Sequence, residues 1–555
     1  MTFKATPAFK AALALSAAAV LAGTASPANA APTSPAGPAA KPSGAAGKFQ
    51  RGLARKGADP EARARRPHAV AASGEHILKV DLLGRDGKPT TTTHNSRLYV
   101  WALNGGEPTG LDIVDGHAEG PVPDGDYVLS SKIYDTTADG RDSVTLLYNP
   151  KVEVRADTAL TMDGRTARPI RVTADRADAS AGTVAAIVSQ RLGDTYQAIT
   201  TMAAPDLYVT PAAPGDDLQI DVGAQLTKGG AEESPYVYHI SSSEKGIPAD
   251  PSVRVRTADL AEVRTRYVSP GGQKSCAGGH ASPRLETSAQ YGFYYQMGAL
   301  PSERTEYFTP GVDWYMDQAT DESCAFEEYD LLLRQERFPG PGRYSRVVGQ
   351  APFGPSKGEF TPDAEGQNLI KAPLVSSADA ETVGGAISLT QGATYLADAS
   401  GAIVASSSVP GYLNGSEPAK PGSYTLTVDA KRSAPWTDLA TRQHITWNVQ
   451  VTDPKATLTI GALRYKASGL DASNRAAVNS LQALSLTPDG LTTSKTPKVW
   501  ASTDDGTSWQ AVPVVKDGTG WKSLFRNPAR AGFVSLRTQV EGVVDQTVIR
   551  AYGVR

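Results

Sequence analysis

The chain has 555 residues, an apolar fraction of 40% and a net charge of −3, which gives room for about three or four domains with separate cores. Glycine (53) and proline (39) are plentiful and Val, Thr and Tyr recur in short runs, so the composition favours an all-β fold. Residues 1–30 carry +2 and residues 41–70 carry +6, which leaves −11 for the rest and argues against a nucleic-acid partner.

Residues 1–30 have the pattern of a secretory signal peptide. Lys4 and Lys10 precede an apolar run over 11–23, and Ala28-Asn29-Ala30 fits the small-residue cleavage pattern. The apolar run is too short to span a bilayer. We therefore expect a secreted, soluble, extracellular protein without a membrane span.

Residues 31–74 form a linker that is rich in Ala, Pro and Arg and has almost no large apolar side chains. Such a segment buries too little surface to offset the entropy lost on ordering. The sequence predicts a disordered tether here. Contact with anionic cell-wall polymers and a cleavable pro-segment are the alternatives.

Residues 75–165 are predicted to form a first β-sandwich of the transthyretin-like or immunoglobulin-like kind. Short β-prone runs alternate with turn residues such as Gly87-Lys88-Pro89, a spacing typical of antiparallel sandwiches. The predicted strands cover 76–83, 97–103, 127–133, 144–148, 152–154 and 158–162.

Residues 166–355 are predicted to form a central β domain that contains both cysteines. Cys276 and Cys324 are the only cysteines of an exported chain, so a disulfide is expected. Closing this loop would stabilise the fold by about 4 kcal/mol in the chain-entropy model. A metal site is the alternative, but His280 near one cysteine falls short of a zinc pattern. This histidine is predicted to lie in a solvated loop.

The central region is also the richest in aromatic residues, which are predicted to fill a sandwich core. A carbohydrate- or peptide-binding platform is the alternative, because exposed rings stack on sugars and offer rigid contact area. Its rings would come from Tyr291, Tyr294, Tyr307 and Trp314.

Acidic residues cluster near the aromatic ones and are predicted to form a solvated loop. A carboxylate pair for glycoside hydrolysis and a structural calcium site are the alternatives, although no D-x-D-x-D-G run supports calcium. No other cofactor is predicted. The residues are Asp313, Asp317, Asp321, Glu322, Glu327, Glu328 and Asp330.

Two further β-sandwiches are predicted over 356–454 and 455–555. The run 424–429 alternates apolar and polar residues with period two, as in a strand with one buried face, and 445–451 matches it. The last unit contains the spacing S-x-D-x-G-x-S-W, followed by predicted strands over 533–540 and 546–554. Its defining residues, Ser502, Asp504, Gly506 and Trp509, indicate a structural hairpin.

Several motifs, in order, resemble the accessory region behind the catalytic domain of large secreted subtilisin-like serine peptidases of Gram-positive bacteria. The resemblance covers about 75–555 and implies stacked β-sandwiches. Its motifs are Gly87-Lys88-Pro89, Gly125-Asp126-Tyr127, the run over 161–169, Thr305-Glu306-Tyr307-Phe308-Thr309, Phe353-Gly354-Pro355, Arg464-Tyr465, Leu470-Asp471, Asn474-Arg475-Ala476, 502–509, 532–537 and 546–552.

The chain lacks the motifs that carry the peptidase triad. Subtilisin-like catalysis needs Asp, His and Ser within D-T/S-G, H-G-T-H and G-T-S-M-A, and none of these occurs. Gly506-Thr507-Ser508 is followed by Trp509 and belongs to the hairpin. Nor is there a G-x-S-x-G nucleophile elbow in a βαβ context, or an H-E-x-x-H pair. No catalytic residue is carried over, and the sequence predicts a protein that is not an enzyme.

Three functional hypotheses follow. The first is a secreted, non-catalytic protein for extracellular binding or scaffolding. The second is a partner or inhibitor that acts in trans on an exported serine peptidase. The third is a carbohydrate-binding or carbohydrate-active protein that uses the central aromatic and acidic region on cell-wall polysaccharide.

Overall fold

A computed structural model describes residues 74–555, apart from 91–96, 138, 214, 216, 273, 286–290, 327, 363–367, 386–389 and 416–419. The described chain is all-β, as predicted, and its helical turns are two short 3-10 segments, Gly164–Thr166 and Thr257–Asp259. The predicted signal peptide and all of the predicted tether except Gly74 lie outside the described residues. Within the described part, no helix is long and apolar enough to cross a membrane.

The first strands and the later strand β12 (Asp206–Val209) form a nine-stranded sheet with the order β7-β1-β4-β3-β2-β5-β6-β12-β8. Strands β1 and β2 lie where the sequence predicted strands, whereas β3 and β4 were not predicted. The strands of this region are β1 (Glu75–Leu83), β2 (Arg97–Ala102), β3 (Thr109–Val114), β4 (His117–Pro123), β5 (Gly125–Thr136), β6 (Asp142–Val154), β7 (Thr158–Asp163), β8 (Arg168–Ile170) and β9 (Val172–Ala174).

Strand β6 is one long strand where the sequence predicted two. It is covered on both faces: Val144 and Leu146 pack into the core shared with the following strands, and Leu147 and Val152 pack into the core of the first sheet. A strand that is buried on both sides has a near-continuous run of apolar residues. Its sequence therefore lacks the usual alternation of apolar and polar residues. The parallel pairing of β12 with β6 continues the sheet across residue 165.

The central strands form a seven-stranded sheet, β11-β10-β13-β14-β19-β16-β22. Together with β25 (Thr382–Gly385) they also form a five-stranded sheet, β18-β17-β20-β21-β25. A shared core with Phe308, Trp314 and Met316 lies between strands of the two sheets. The strands are β10 (Ala179–Leu192), β11 (Thr195–Ala204), β12 (Asp206–Val209), β13 (Leu218–Lys228), β14 (Tyr236–Lys245), β15 (Val253–Val255), β16 (Ala261–Tyr267), β17 (Cys276–Pro283), β18 (Phe293–Ala299), β19 (Ser302–Phe308), β20 (Asp313–Asp321), β21 (Asp330–Arg337) and β22 (Gly342–Val348).

The rest of the chain shares one large core. Strands β26, β27, β29 and β30 join β33, β35, β36, β39 and β40 in a second nine-stranded sheet, so strands from both sides of residue 454 belong to one sheet. The strands are β23 (Gly358–Pro362), β24 (Asn368–Lys371), β25 (Thr382–Gly385), β26 (Thr390–Ala397), β27 (Ile403–Ser407), β28 (Tyr412–Gly415), β29 (Gly422–Arg432), β30 (Arg442–Val451), β31 (Leu458–Ile460), β32 (Ala462–Ala467), β33 (Arg475–Ala476), β34 (Leu481–Asp489), β35 (Lys498–Ser502), β36 (Gln510–Val512), β37 (Val514–Asp517), β38 (Gly520–Arg526), β39 (Gly532–Val540) and β40 (Val544–Val554).

Candidate functional site

The predicted disulfide between Cys276 and Cys324 is present, with a Cα–Cα distance of 5.2 Å. It joins the start of β17 to a tight turn after β20. Asp321 organises this turn, because its carboxylate accepts the backbone N–H groups of Cys324 and Phe326, both at 2.7 Å. Both residues have a positive φ, of 63° and 53°, so the turn depends on these hydrogen bonds for its backbone conformation.

The densest set of buried charges surrounds Glu306 on β19. One carboxylate oxygen accepts Arg304 Nη2 at 2.7 Å and the Tyr267 hydroxyl at 2.5 Å. The other accepts the Thr265 hydroxyl at 2.8 Å and also pairs with Arg346. Arg346 in turn pairs with Glu336 of β21, on the facing sheet. The network therefore joins β16, β19 and β22 and reaches across the core.

Glu306 stays ionised although it is completely buried. Burial alone would raise its pKa, but the guanidinium groups of Arg346 and Arg304 outweigh that effect and hold the pKa well below its usual range. Burial alone would lower the pKa of Arg346, but the carboxylates of Glu306 and Glu336 outweigh that effect and raise it. A carboxylate held in this way is a poor proton acceptor, so the arrangement supports a structural ion network better than acid–base chemistry.

His239 lies beside this network in the core. Its ring stacks on Phe308, with 4.5 Å between the ring centroids, and lies 6.0 Å from the ring of Trp314. Neither ring nitrogen has a hydrogen-bond partner among the described residues. Burial lowers the pKa of His239 to about 3, so the core holds the neutral imidazole.

The aromatic residues considered for a ligand platform lie mainly inside the protein. Tyr291, Tyr307 and Trp314 are buried, and Tyr294 is half-buried. The Tyr291 hydroxyl bonds Ser241 at 2.8 Å, and Tyr307 stacks on a neighbouring ring. Because the three buried rings have no exposed face, they fill the core and cannot stack on a sugar from solvent.

The acidic residues of the same region are also largely tied into the fold, and they do not form one loop. Asp317 is buried and accepts the backbone N–H of His280 at 3.0 Å, so this histidine, predicted in a solvated loop, lies in a strand and is buried as well. Asp330 pairs with Arg432. Glu327 lies outside the described residues. In the part of the chain that the structure covers, no group of three or more His, Cys, Asp or Glu side chains is placed to hold a metal ion.

Asn474 joins the central unit to the C-terminal one. Its side-chain amide donates to the carbonyl oxygens of Ser269 at 2.8 Å and Gly349 at 3.0 Å, and its oxygen accepts the N–H of Ala351 at 2.8 Å. Asn474 is fully buried and has a φ of 57°. One side chain thus satisfies three backbone groups that come from two distant segments.

A second set of contacts joins β21 to the segment after β29. Asp330 accepts the indole N–H of Trp436 at 2.5 Å and pairs with Arg432, while the Thr437 hydroxyl donates to the carbonyl oxygen of Pro270 at 2.8 Å. A cavity of about 20 Å³ adjoins this region, with Pro270, Asp330 and Arg432 in its wall. It has room for about one water molecule.

The S-x-D-x-G-x-S-W segment forms the turn between the paired strands β35 and β36. Asp504 accepts the Ser508 N–H at 2.9 Å and the Ser508 hydroxyl at 2.6 Å, and these bonds lower the pKa of Asp504 to about 2. Gly506 has a φ of 84° and lies under the half-buried ring of Trp509. These contacts stabilise the turn, and Ser508 is engaged with Asp504.

Sequence reasoning missed the Glu306 network and the Asn474 junction. The network could have been predicted from the strand Ser302–Phe308. Arg304 and Glu306 lie on the same face of this strand as the buried Phe308. Charged residues at inward positions of a strand indicate a buried ion pair. No comparable pattern identifies the junction of Asn474, because its partners lie more than 100 residues away.

Comparisons with known proteins reveal no relative in sequence: no family model matches the chain, and no curated protein matches it. Among solved structures, a candidate adhesin from Bacteroides ovatus is similar at 10% identity and a TM-score of 0.13, over 35% of this chain and 98% of that one. The Bacillus anthracis TIE protein matches at 11% identity and 0.11, over 68% and 66%. A Salmonella alpha-2-macroglobulin reacted with methylamine matches at 10% and 0.15, over 88% of this chain and 40% of its own length. Scores this low carry no argument about function.

Proposed function

We propose that the protein is an exported, non-catalytic scaffold whose β-sheet units are held in a fixed arrangement for binding outside the cell. The observation that supports this proposal is the junction at Asn474, which ties the central unit to the C-terminal one through three buried hydrogen bonds. Buried polar contacts of this kind fix the relative position of the parts that they join. The disulfide fits an oxidising, extracellular environment.

The test uses the exported chain, immobilised and incubated with native culture medium. We expect a specific extracellular protein or polysaccharide to be retained, with no hydrolysis of casein, a peptide library or cell-wall polysaccharide. Turnover by the purified chain would contradict the non-catalytic part of the proposal. If Ser508→Ala abolished peptidase activity, the hairpin serine would be catalytic. Retention of nothing beyond what a blank resin retains would contradict the binding part.

A second proposal is that the chain acts in trans on an exported serine peptidase, which the order of the accessory-region motifs supports. Adding the purified chain to peptidases from the same medium should then change their activity or stability in a saturable way. Co-purification of no peptidase, together with unchanged activity, would contradict this second role while leaving the scaffold proposal standing.

A further inference from the structure

The outer face of one C-terminal sheet has an exposed apolar surface. The sheet has the order β32-β34-β38-β37, and its inner face supplies Leu484, Leu486 and Trp521 to the large core. On the opposite face, Leu481, Leu524 and Val515 are 67%, 50% and 60% exposed. We call these three residues the apolar ridge.

The strand register places the three ridge residues on one diagonal. Leu481 is paired with Arg526, and Leu524 is paired with Ala483, two residues along the same strands. Val515 is paired with Lys522, so it lies diagonally from Leu524 on the other side. Diagonal neighbours in an antiparallel sheet are about 7–8 Å apart. The ridge therefore crosses three strands in an unbroken line.

A basic side chain flanks the ridge on each side. Lys522 precedes and Arg526 follows Leu524 at alternate positions of β38, on the same outward face. Arg526 donates to the carbonyl oxygen of Asn479 at 2.7 Å, a neutral acceptor that does not cancel its charge. Lys522 pairs with Asp517 at 3.2 Å, and the exposed Lys466 lies on β32. The face is thus net positive on a chain whose net charge is −3.

These charges and the apolar ridge together favour one kind of binding partner. A second copy docked through the same face would bring like charges together, which opposes binding. A purely ionic polysaccharide would leave the apolar ridge exposed to water. An extended peptide segment has side chains about 7 Å apart at alternate positions on one face, which matches the spacing along the ridge.

We propose that the apolar ridge binds an extended segment of an extracellular protein, with apolar residues at alternate positions and Asp or Glu beside them. This inference rests on the proposed binding function and names its surface and partner class. The apolar side chains would cover Leu481, Leu524 and Val515. The carboxylates would pair with Arg526 and Lys522.

The test selects a displayed library of random 12-residue peptides on the exported chain. We expect enriched peptides with alternate apolar residues and flanking Asp or Glu. Their affinity should fall at least tenfold with the double variant L481S/L524S and with K522E/R526E. The matched control is I403S/V404S, which alters residues that are 62% and 52% exposed on β27 and should leave the affinity unchanged. Circular dichroism of every variant checks that it folds.

The ridge proposal is overturned if no acidic–apolar peptides are enriched, or if the enriched peptides bind L481S/L524S as tightly as they bind the original chain. It is also overturned if the ridge instead binds vesicles of equal phosphatidylcholine and phosphatidylglycerol. Failure of the scaffold proposal gives a different result, since nothing from culture medium would then be retained. A retained partner that is lost with I403S/V404S but not with L481S/L524S would keep the scaffold proposal and reject the ridge.

Discussion

His239 lies in the core with its ring stacked on Phe308 and with no hydrogen-bond partner for either nitrogen among the described residues. The core accommodates only the neutral ring, and burial lowers its pKa to about 3. In the unfolded chain a histidine takes up a proton near pH 6.5. Below that pH the unfolded state therefore binds a proton that the folded state does not bind. The free energy of unfolding consequently falls as the pH falls from about 6.5 towards 3.

His239→Phe should remove this acid sensitivity, because phenylalanine keeps the stacking and does not titrate. The free energy of unfolding in urea, measured at pH 7 and pH 4.5, should fall by about 2–3 kcal/mol more for the original chain than for the variant. His444→Phe alters an exposed histidine and leaves His239 in place, so the loss of stability caused by His239 should remain in this control. Equal losses in the original chain and His239→Phe would contradict the assignment.

Gly506 is a second residue whose backbone conformation matters. Its φ is 84°, and an added Cβ would lie 2.7 Å from Ile549 Cδ1. Gly506→Ala should lower the free energy of unfolding by roughly 1–2 kcal/mol or more through backbone strain and steric conflict. Gly518→Ala is the matched control, since Gly518 has a φ of 57° and no atom within 4 Å of an added Cβ. If chemical denaturation gave equal losses in the free energy of unfolding for both variants, Ile549 would be able to move aside without destabilising the fold.

At the scale of single elements, charged residues hold strands of the central sheets together. Glu306 on β19 bonds residues of β16 and pairs with Arg346 of β22, and Arg346 continues to Glu336 on the facing sheet. Taking such charges out of water is costly, so every partner has to be present. The strands are consequently fixed in register by polar contacts as well as by apolar packing.

Glu306→Gln should be strongly destabilising, because it leaves the buried Arg304 and Arg346 with less negative charge to compensate them. We expect a loss of about 3–5 kcal/mol in the free energy of unfolding. Glu303→Gln on the same strand is the control: it breaks an exposed pair with Arg264 and should cost under about 1 kcal/mol. Thermal and urea unfolding of both variants would measure the difference. Similar values would mean that the network carries little stability.

At the scale of the whole molecule, consecutive units are joined both by a few buried side chains and by shared sheets. The amide of Asn474 bonds three backbone groups of the central unit, and Asp330 bonds Arg432 and Trp436. Shared sheets add to these contacts, since β30 pairs with β40 and β12 with β6. The units are therefore expected to unfold with strong coupling.

Asn474→Ala should both destabilise the chain and uncouple its units. Three buried backbone groups lose their partner, at about 1–3 kcal/mol each. We expect a loss of more than about 3 kcal/mol and separate calorimetric transitions where the original chain has a coupled one. Asn479→Ala is the control, because Asn479 has a similar φ of 54° and is exposed. Preserved coupling in Asn474→Ala would contradict a joining role for this residue.

Local patterns in the sequence were sufficient for several features. The strands β29 and β30 lie over the runs predicted from period-two alternation and extend beyond them. Cys276 and Cys324 form the predicted disulfide. The double burial of β6 was not predicted, because a strand covered on both faces loses the alternation on which the prediction depends.

The sequence by itself determined the all-β class, the disulfide and the position of the C-terminal hairpin, because turn residues, β-branched runs and cysteine count act over short stretches of chain. Only the tertiary structure decided which charges are buried and which units are joined. Arg346 lies 40 residues from Glu306, and Asn474 lies 205 from Ser269. No local pattern encodes such pairings, because they form only when the sheets pack and exclude water from both partners.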